Sequence, residues 1–248
     1  MDVFLNRVDG IDDAILSMFF SKRTVDRELE MKVRNEVNAC TKLTYWCDGP
    51  VPYPLGGLTE VSYELQDWLE KLFKWGEQHY TMLRFIDLSF TVYNLHRGGQ
   101  DDLDAHSMRM NNRIIRSSTR LGRFEQGEMS DWYKGRIVPT DVALAILGIT
   151  MPEELEVDGK VYVRSTNGYI LKEMADSNDA RRGLYMLSIP SSFIFRIQLT
   201  EFAHVYKERR LGGAAHPELQ LAVEDMAMQV EAATHKFANR ELFMRIRN

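Results

Sequence analysis

Residues 109–123 read RMNNRIIRSSTRLGR: five arginines and no acid, in a chain that sets 31 Lys and Arg against 36 Asp and Glu for a formal net charge of −5. Arg109, Arg113, Arg116 and Arg120 are spaced four, three and four apart. A helix continued through them would stack all four on one face. Like charges at that spacing destabilise an isolated helix, and the arrangement makes sense where an anion neutralises them. The planar guanidinium fork suits phosphate or carboxylate. A solvated face paired with acids from other helices is the plainer alternative. Two more pairs, Arg181-Arg182 and Arg209-Arg210, lie downstream.

The rest of the composition narrows the class. With 44% apolar and 27% charged residues over 248 positions, the chain is long enough to bury a substantial core. It is read as one domain, 1–248, with a hairpin insertion near 157–171. No apolar run approaches the roughly 20 residues of a membrane helix, and the start MDVFLNRVDG lacks a signal-peptide layout. A cytoplasmic protein without membrane association is expected. The acidic balance argues against direct nucleic-acid binding. Cys40 and Cys47 have no second Cys or His pair at zinc spacing, so reduced thiols and no metal are expected.

Most segments carry helical spacing. Helices are expected over 11–20, over 24–38 and from Thr59 to about Trp75, the last with Leu65, Trp68, Leu69 and Leu72 on one face. Residues 47–57, CDGPVPYPLGG, read as a loop, and 83–95, LRFIDLSFTVYNL, as a strand. Residues 96–100 read as a glycine turn, with Asp101 or Asp102 capping the next helix. Asp158-Gly159 and Asn167-Gly168 are hairpin turn dipeptides. Ser177 or Asp179 caps a helix through Leu187. Pro190 starts one through Arg209 that ends at Gly212-Gly213, and Pro217 opens a final long helix. The expected class is α+β, helix-dominated, with a small antiparallel sheet.

On these residues the chain resembles the flavin-dependent thymidylate synthases, whose signature is Arg-His-Arg, seven residues, then Ser, followed closely by Arg. Asn111-Asn112-Arg113, the seven residues 114–120, and Leu121-Gly122-Arg123 fall on that frame without a gap. Asp179-Ala180-Arg181 resembles the family's Ala-Arg segment that reaches the nucleotide. Residues 198–219, QLTEFAHVYKERRLGGAAHPEL, resemble the helix that ends in a nucleotide-binding Arg and the block that follows it. In that helix Arg210 takes the Arg position, and Gln198 lies near an Asn that faces the flavin.

The resemblance implies FAD as cofactor, NADPH and methylenetetrahydrofolate as co-substrates, and transfer of a one-carbon unit to C5 of dUMP or a related pyrimidine nucleotide. It implies a homotetramer whose sites are shared between subunits. Nucleotide contacts are implied at Arg113, Gly122, Arg123, Arg181 and Arg210, and cofactor contacts at Asn111, Asn112, Arg113 and Gln198; no catalytic side chain is assigned. Three departures bear on activity. Asn111 and Asn112 stand where the family has Arg and His, Leu121 stands for the active-site Ser, and residues 76–84 hold no counterpart of its upstream Thr-Pro-x-Glu-His element. They leave open a non-catalytic nucleotide-binding or regulatory homologue.

Overall fold

The computed structural model describes the chain except for residues 23–24, 47–52, 59–60, 106–112, 117–127, 166, 177–185, 214 and 247–248, with the backbone alone at 42–46, 53–56, 113 and 116. At its centre is an antiparallel sheet in the order β1-β4-β9-β5, built from β1 (Asp2–Asp9), β4 (Asp87–His96), β5 (Arg113–Arg116) and β9 (Pro190–Gln198). The period of two sorts its side chains. Leu88, Phe90 and Val92 of β4, with Phe193, Phe195 and Ile197 of β9, turn to one face and are fully or almost fully buried. Phe4, Thr91, Ile194 and Ile115 form a cross-strand row on the other face, where Ile194 and Ile115 are exposed.

Helices cover the buried face. α7 (Pro217–Ala233) lies against β1 and β4, and α6 (Leu199–Val205) continues from β9. A second group joins α1 (Ile11–Lys22), α2 (Arg27–Cys40), α3 (Tyr63–Gly76) and a 3-10 turn (Tyr80–Phe85). Local sequence sets the starts: Asp26 accepts from the Leu29 amide, Ser62 from Leu65, and Pro217 occupies the first turn of α7. β1 is an edge strand whose outward backbone groups are satisfied by a side chain. Gln229 of α7 accepts from the Leu5 amide at 2.6 Å and donates to the Val3 carbonyl at 2.7 Å, which blocks further strand pairing there.

The helix-dominated α+β class agrees with this architecture; several local expectations do not. Residues 113–116 are a strand pairing with β9, not part of an arginine-faced helix. The β-branched pair Ile114-Ile115 suits that pleat. Residues 190–198 are a strand, because Phe193, Phe195 and Ile197 recur every second residue; Pro190 opens the strand instead of a helix. Within the stretch read as a loop, β3 (Tyr53–Leu58) pairs with β2 (Thr41–Trp46). Gly57 there permits close approach to α7: a Cβ would stand 2.7 Å from Ala233 Cβ. Residues 97–104 form α4 (Arg97–Asp104) despite Gly98-Gly99, since a Cβ on Gly99 would lie 2.7 Å from His96 Cε1.

The later hairpin region is a three-stranded meander, β6 (Glu154–Val157), β7 (Lys160–Ser165) and β8 (Gly168–Leu171), preceded by α5 (Thr140–Ile146). Both turn dipeptides are where the sequence puts them, with Asp158 and Asn167 at positive φ. The expected helix over 177–187 falls mostly outside the described residues. After α6 the chain winds into a π-helical turn, Tyr206–Leu211, and α8 (Arg240–Arg245) closes the described structure. Among the described residues no helix is long and apolar enough to cross a membrane.

One charge in α7 opposes folding at neutral pH. Burial, then the neighbouring Glu224, raises the Asp225 pKa above its ordinary value. Its folded pKa exceeds its unfolded one, so its contribution is full below the unfolded value near 3.8 and is lost as pH rises through the folded one. Asp225→Asn is expected to raise Tm at pH 7 by about 2 °C or less. That advantage over the native chain should shrink toward pH 4 in a calorimetric series.

Candidate nucleotide and cofactor site

Of the residues singled out from the sequence, Arg113, Gln198 and Arg210 are described, and Asn111, Asn112, Leu121, Gly122, Arg123 and Arg181 lie outside the described residues. The sheet brings the first two to one end: Arg113 is paired with Arg196, two residues before Gln198, the last residue of β9. Across the same row run Ser89 and Arg7. Arg196 bonds Asp87 at 2.8 Å and Asp9 at 3.4 Å, and Arg7 bonds Asp9 at 2.9 Å. This end of the sheet is therefore a mixed row of cations and carboxylates.

Arg210 is placed elsewhere. It lies a helix length beyond Gln198 in the π turn, where its Nε bonds Glu224 at 2.8 Å. The other Glu224 oxygen is held by Arg240 at 2.6 Å. Its neighbour Arg209 instead faces α4, with Nη2 at 3.5 Å from the Asp102 carbonyl. Adjacent residues of a helix point roughly 100° apart, which gives the two arginines different partners; π turns recur at functional sites.

A cavity of about 470 Å³ opens between α1, α3 and the 3-10 turn, within the ~300–1,000 Å³ range of small-molecule sites. Ser17, Ser21, Trp75, His79, Thr81 and Phe85 line it. Aromatic walls with hydroxyl and imidazole edges suit a flat ring bearing polar atoms, so a flavin ring fits this donor set. Part of the wall comes from residues 76–84, the segment without the Thr-Pro-x-Glu-His pattern. A second cavity, about 820 Å³, lies beside Tyr80, Lys207 and Arg245. Its two cations are engaged by the protein, Arg245 with Glu77 at 3.0 Å and Lys207 with the Ile246 carbonyl.

The largest buried polar cluster was invisible in the sequence. Glu218, in the first turn of α7, accepts with Oε2 from His96 Nδ1 at 2.5 Å, the His96 amide at 3.2 Å and Ser130 Oγ at 3.1 Å. Both ionisable side chains of the pair are almost fully buried. His216 sits with its ring centroid 4.0 Å from that of His96. Its Nδ1 accepts from the Glu218 amide at 3.2 Å, and its Nε2 meets Tyr133 Oη at 2.9 Å. Burial, then His96, lowers the His216 pKa, while burial, then Glu218, raises that of Tyr133. Both are therefore neutral at pH 7, and the Nδ1 acceptor fixes His216 as the Nε2–H tautomer donating to Tyr133.

His96, His216 and Glu218 also present atoms within 4.8 Å of one another, a spacing a metal ion could use. The geometry is that of a hydrogen-bonded network. Ligands of a tetrahedral zinc ion at ~2.0–2.1 Å stand roughly 3.3 Å apart, whereas His96 Nδ1 and Glu218 Oε2 are 2.5 Å apart, at hydrogen-bond distance. A lone acid one residue after a proline reads as a helix N-terminal charge, so no sequence signal pointed to this cluster.

No protein-family model matches the chain, and no curated protein is significantly similar to it. Solved structures are similar along its whole length. Flavin-dependent thymidylate synthase ThyX from Helicobacter pylori complexed with FAD and dUMP is 13% identical, with a TM-score of 0.54 over 98% of this chain and 99% of that one. A second structure of the H. pylori protein with FAD and dUMP is 14% identical, with a TM-score of 0.55 and the same coverage. The UMP/dUMP methylase PolB from Streptomyces cacaoi, bound with 5-Br dUMP, is 12% identical, with a TM-score of 0.49 over 98% of this chain and 94% of that one. With the four-stranded antiparallel sheet, the helices on one face and the order of the arginine segments already described, the chain has the fold of the flavin-dependent thymidylate synthases.

Proposed function

We propose that this protein binds a flavin and a pyrimidine nucleotide and transfers a one-carbon unit to C5 of dUMP or a related nucleotide. One observation carries the reading: in a fold of this type, two of the arginine segments lead to one backbone bond. Arg123 and Arg181 each lie seven residues before Ser130 and Ser188, whose backbones bond each other at 2.8 Å, ahead of β9, while Arg113 is paired with Arg196 toward the other end of that strand. Seven residues span at most roughly 25 Å. The nucleotide phosphate is assigned to Arg113, Arg123, Arg181 and Arg209, with Gly122 allowing close approach; Asn111, Asn112 and Gln198 are assigned to the cofactor.

FAD, when bound and reduced with NADPH, supplies hydride, and methylenetetrahydrofolate supplies the carbon. The chain's own residues bind and orient: Trp75 and Phe85 exclude water from a ring in the 470 Å³ cavity, and Ser17, Ser21, Thr81 and His79 offer hydrogen bonds to its edge. A homotetramer in the cytoplasm is part of this proposal, and light scattering at the mass of one chain would count against it. Leu121 sets an apolar side chain where the family has a hydroxyl, so discrimination among pyrimidine nucleotides should be weak.

The replacements Asn111, Asn112 and Leu121 favour a second reading, a nucleotide-binding homologue without turnover. The purified protein, tested for flavin absorbance, FAD and dUMP binding, and tritium release from 5-labelled dUMP with NADPH and methylenetetrahydrofolate, separates the two. Binding with release supports the transferase. Binding of dUMP without release, also after Asn111→Arg, Asn112→His and Leu121→Ser together, supports the second reading. Absence of both ligands sinks both.

A further inference from the structure

We propose that Glu218 and His96 are positioning residues: their buried, hydrogen-bonded pair clamps together the chain segments from which both arginine-bearing stretches depart. The inference rests on the nucleotide reading above for its functional consequence, but its structural half stands without it.

The clamp is visible bond by bond. Glu218 Oε2 gathers the His96 ring, the His96 amide and the Ser130 hydroxyl onto one atom. Around it three backbone bonds close a seam. The Arg97 amide donates to Ile189 O at 2.9 Å, Gly98 to Leu187 O at 3.1 Å, and Ser130 to Ser188 O at 2.8 Å. Gln100, wholly buried on α4, accepts from Ser191 Oγ and continues the seam into β9. Along the chain, α4 leads into residues 106–112, Ser130 follows 117–127, and Leu187 follows 177–185. Glu218 thus holds His96 and Ser130, and the backbone bonds from Arg97, Gly98 and Ser130 tie the residues that follow 177–185 to the same seam.

A carboxylate suits this place because each of its oxygens can accept several N–H and O–H donors at once. An amide of the same shape has one accepting oxygen, and its NH2 turned toward the cluster would meet donors instead of acceptors. The titratable and charged groups around it are His96 on β4, Tyr133 beside Ser130, His216 ahead of α7, and Arg97, Asp101 and Asp102 on α4. Tyr133 and His216 bond each other, and Arg97 bonds Asp101 at 3.2 Å.

Glu218→Gln in the full chain tests this. The expected results are about ten-fold weaker dUMP binding by calorimetry and faster hydrogen exchange at the amides of Arg97, Gly98 and Ser130, with those of the α7 interior unchanged. Val230→Ala, a buried α7 change outside the cluster, should lower stability without speeding exchange selectively at those three amides. Ser130→Ala removes one donor and should give a smaller loss of the same kind, which keeps the test available if Glu218→Gln does not fold. Wild-type exchange rates in both cluster variants would overturn the clamp. Wild-type exchange lost in the variants, with no dUMP binding by the native protein at any pH, would instead overturn the nucleotide reading and leave the clamp standing.

Discussion

Phe90→Ala is expected to lower the unfolding free energy by about 3–5 kcal/mol, the range for emptying a fully buried aromatic position. Phe90 sits on β4 with Leu5 of β1 on one side and Phe195 of β9 on the other. Its ring centroid is 5.7 Å from Phe202, which in turn meets Phe243 at 5.4 Å in an edge contact. Truncation therefore opens a cavity where the sheet, α6 and α8 meet, and strands hydrogen-bonded on both sides cannot collapse into it. Denaturant titration measures the loss. Ile194→Ala, on the opposite and exposed face of the same sheet, should change stability by less than about 0.5 kcal/mol. Equal effects at the two positions would mean that the faces are wrongly assigned.

The second large effect separates adjacent arginines. Arg209→Ala should weaken dUMP binding ten-fold or more, since a charge-assisted contact contributes about 1.5–3 kcal/mol. Arg210→Ala should leave affinity within a few-fold and cost less than about 1 kcal/mol of stability, because its partner Glu224 keeps Arg240 and the pair is partly exposed. From the sequence Arg210 occupies the family's position; in the structure Glu224 has claimed it. Calorimetric titration of both variants with dUMP decides between them, and a larger loss in Arg210→Ala would restore the original assignment.

Local chemistry was legible wherever a short stretch carries its own instruction. Pro217 marks a helix start, Asp158-Gly159 and Asn167-Gly168 mark the turns of the meander, and the apolar face of α3 is buried as its spacing requires, though its cap is Ser62 and not Thr59. The order of the arginine segments was enough to place the chain in its fold. Elsewhere partners distant in sequence decided. Ile114 is held in a strand by β9, some eighty residues away, and Gly99 is required within α4 because the His96 ring leaves no room for a Cβ there. Gly57 serves the approach of α7. The Glu218 cluster joins residues 122 positions apart. The sequence by itself determined which residues could cap, turn and alternate, because those preferences act within a few residues. The tertiary structure alone decided which strand the arginine segment joined, which carboxylate Arg210 met, and which buried acid found a histidine, because those outcomes depend on surfaces that meet only after the chain has folded.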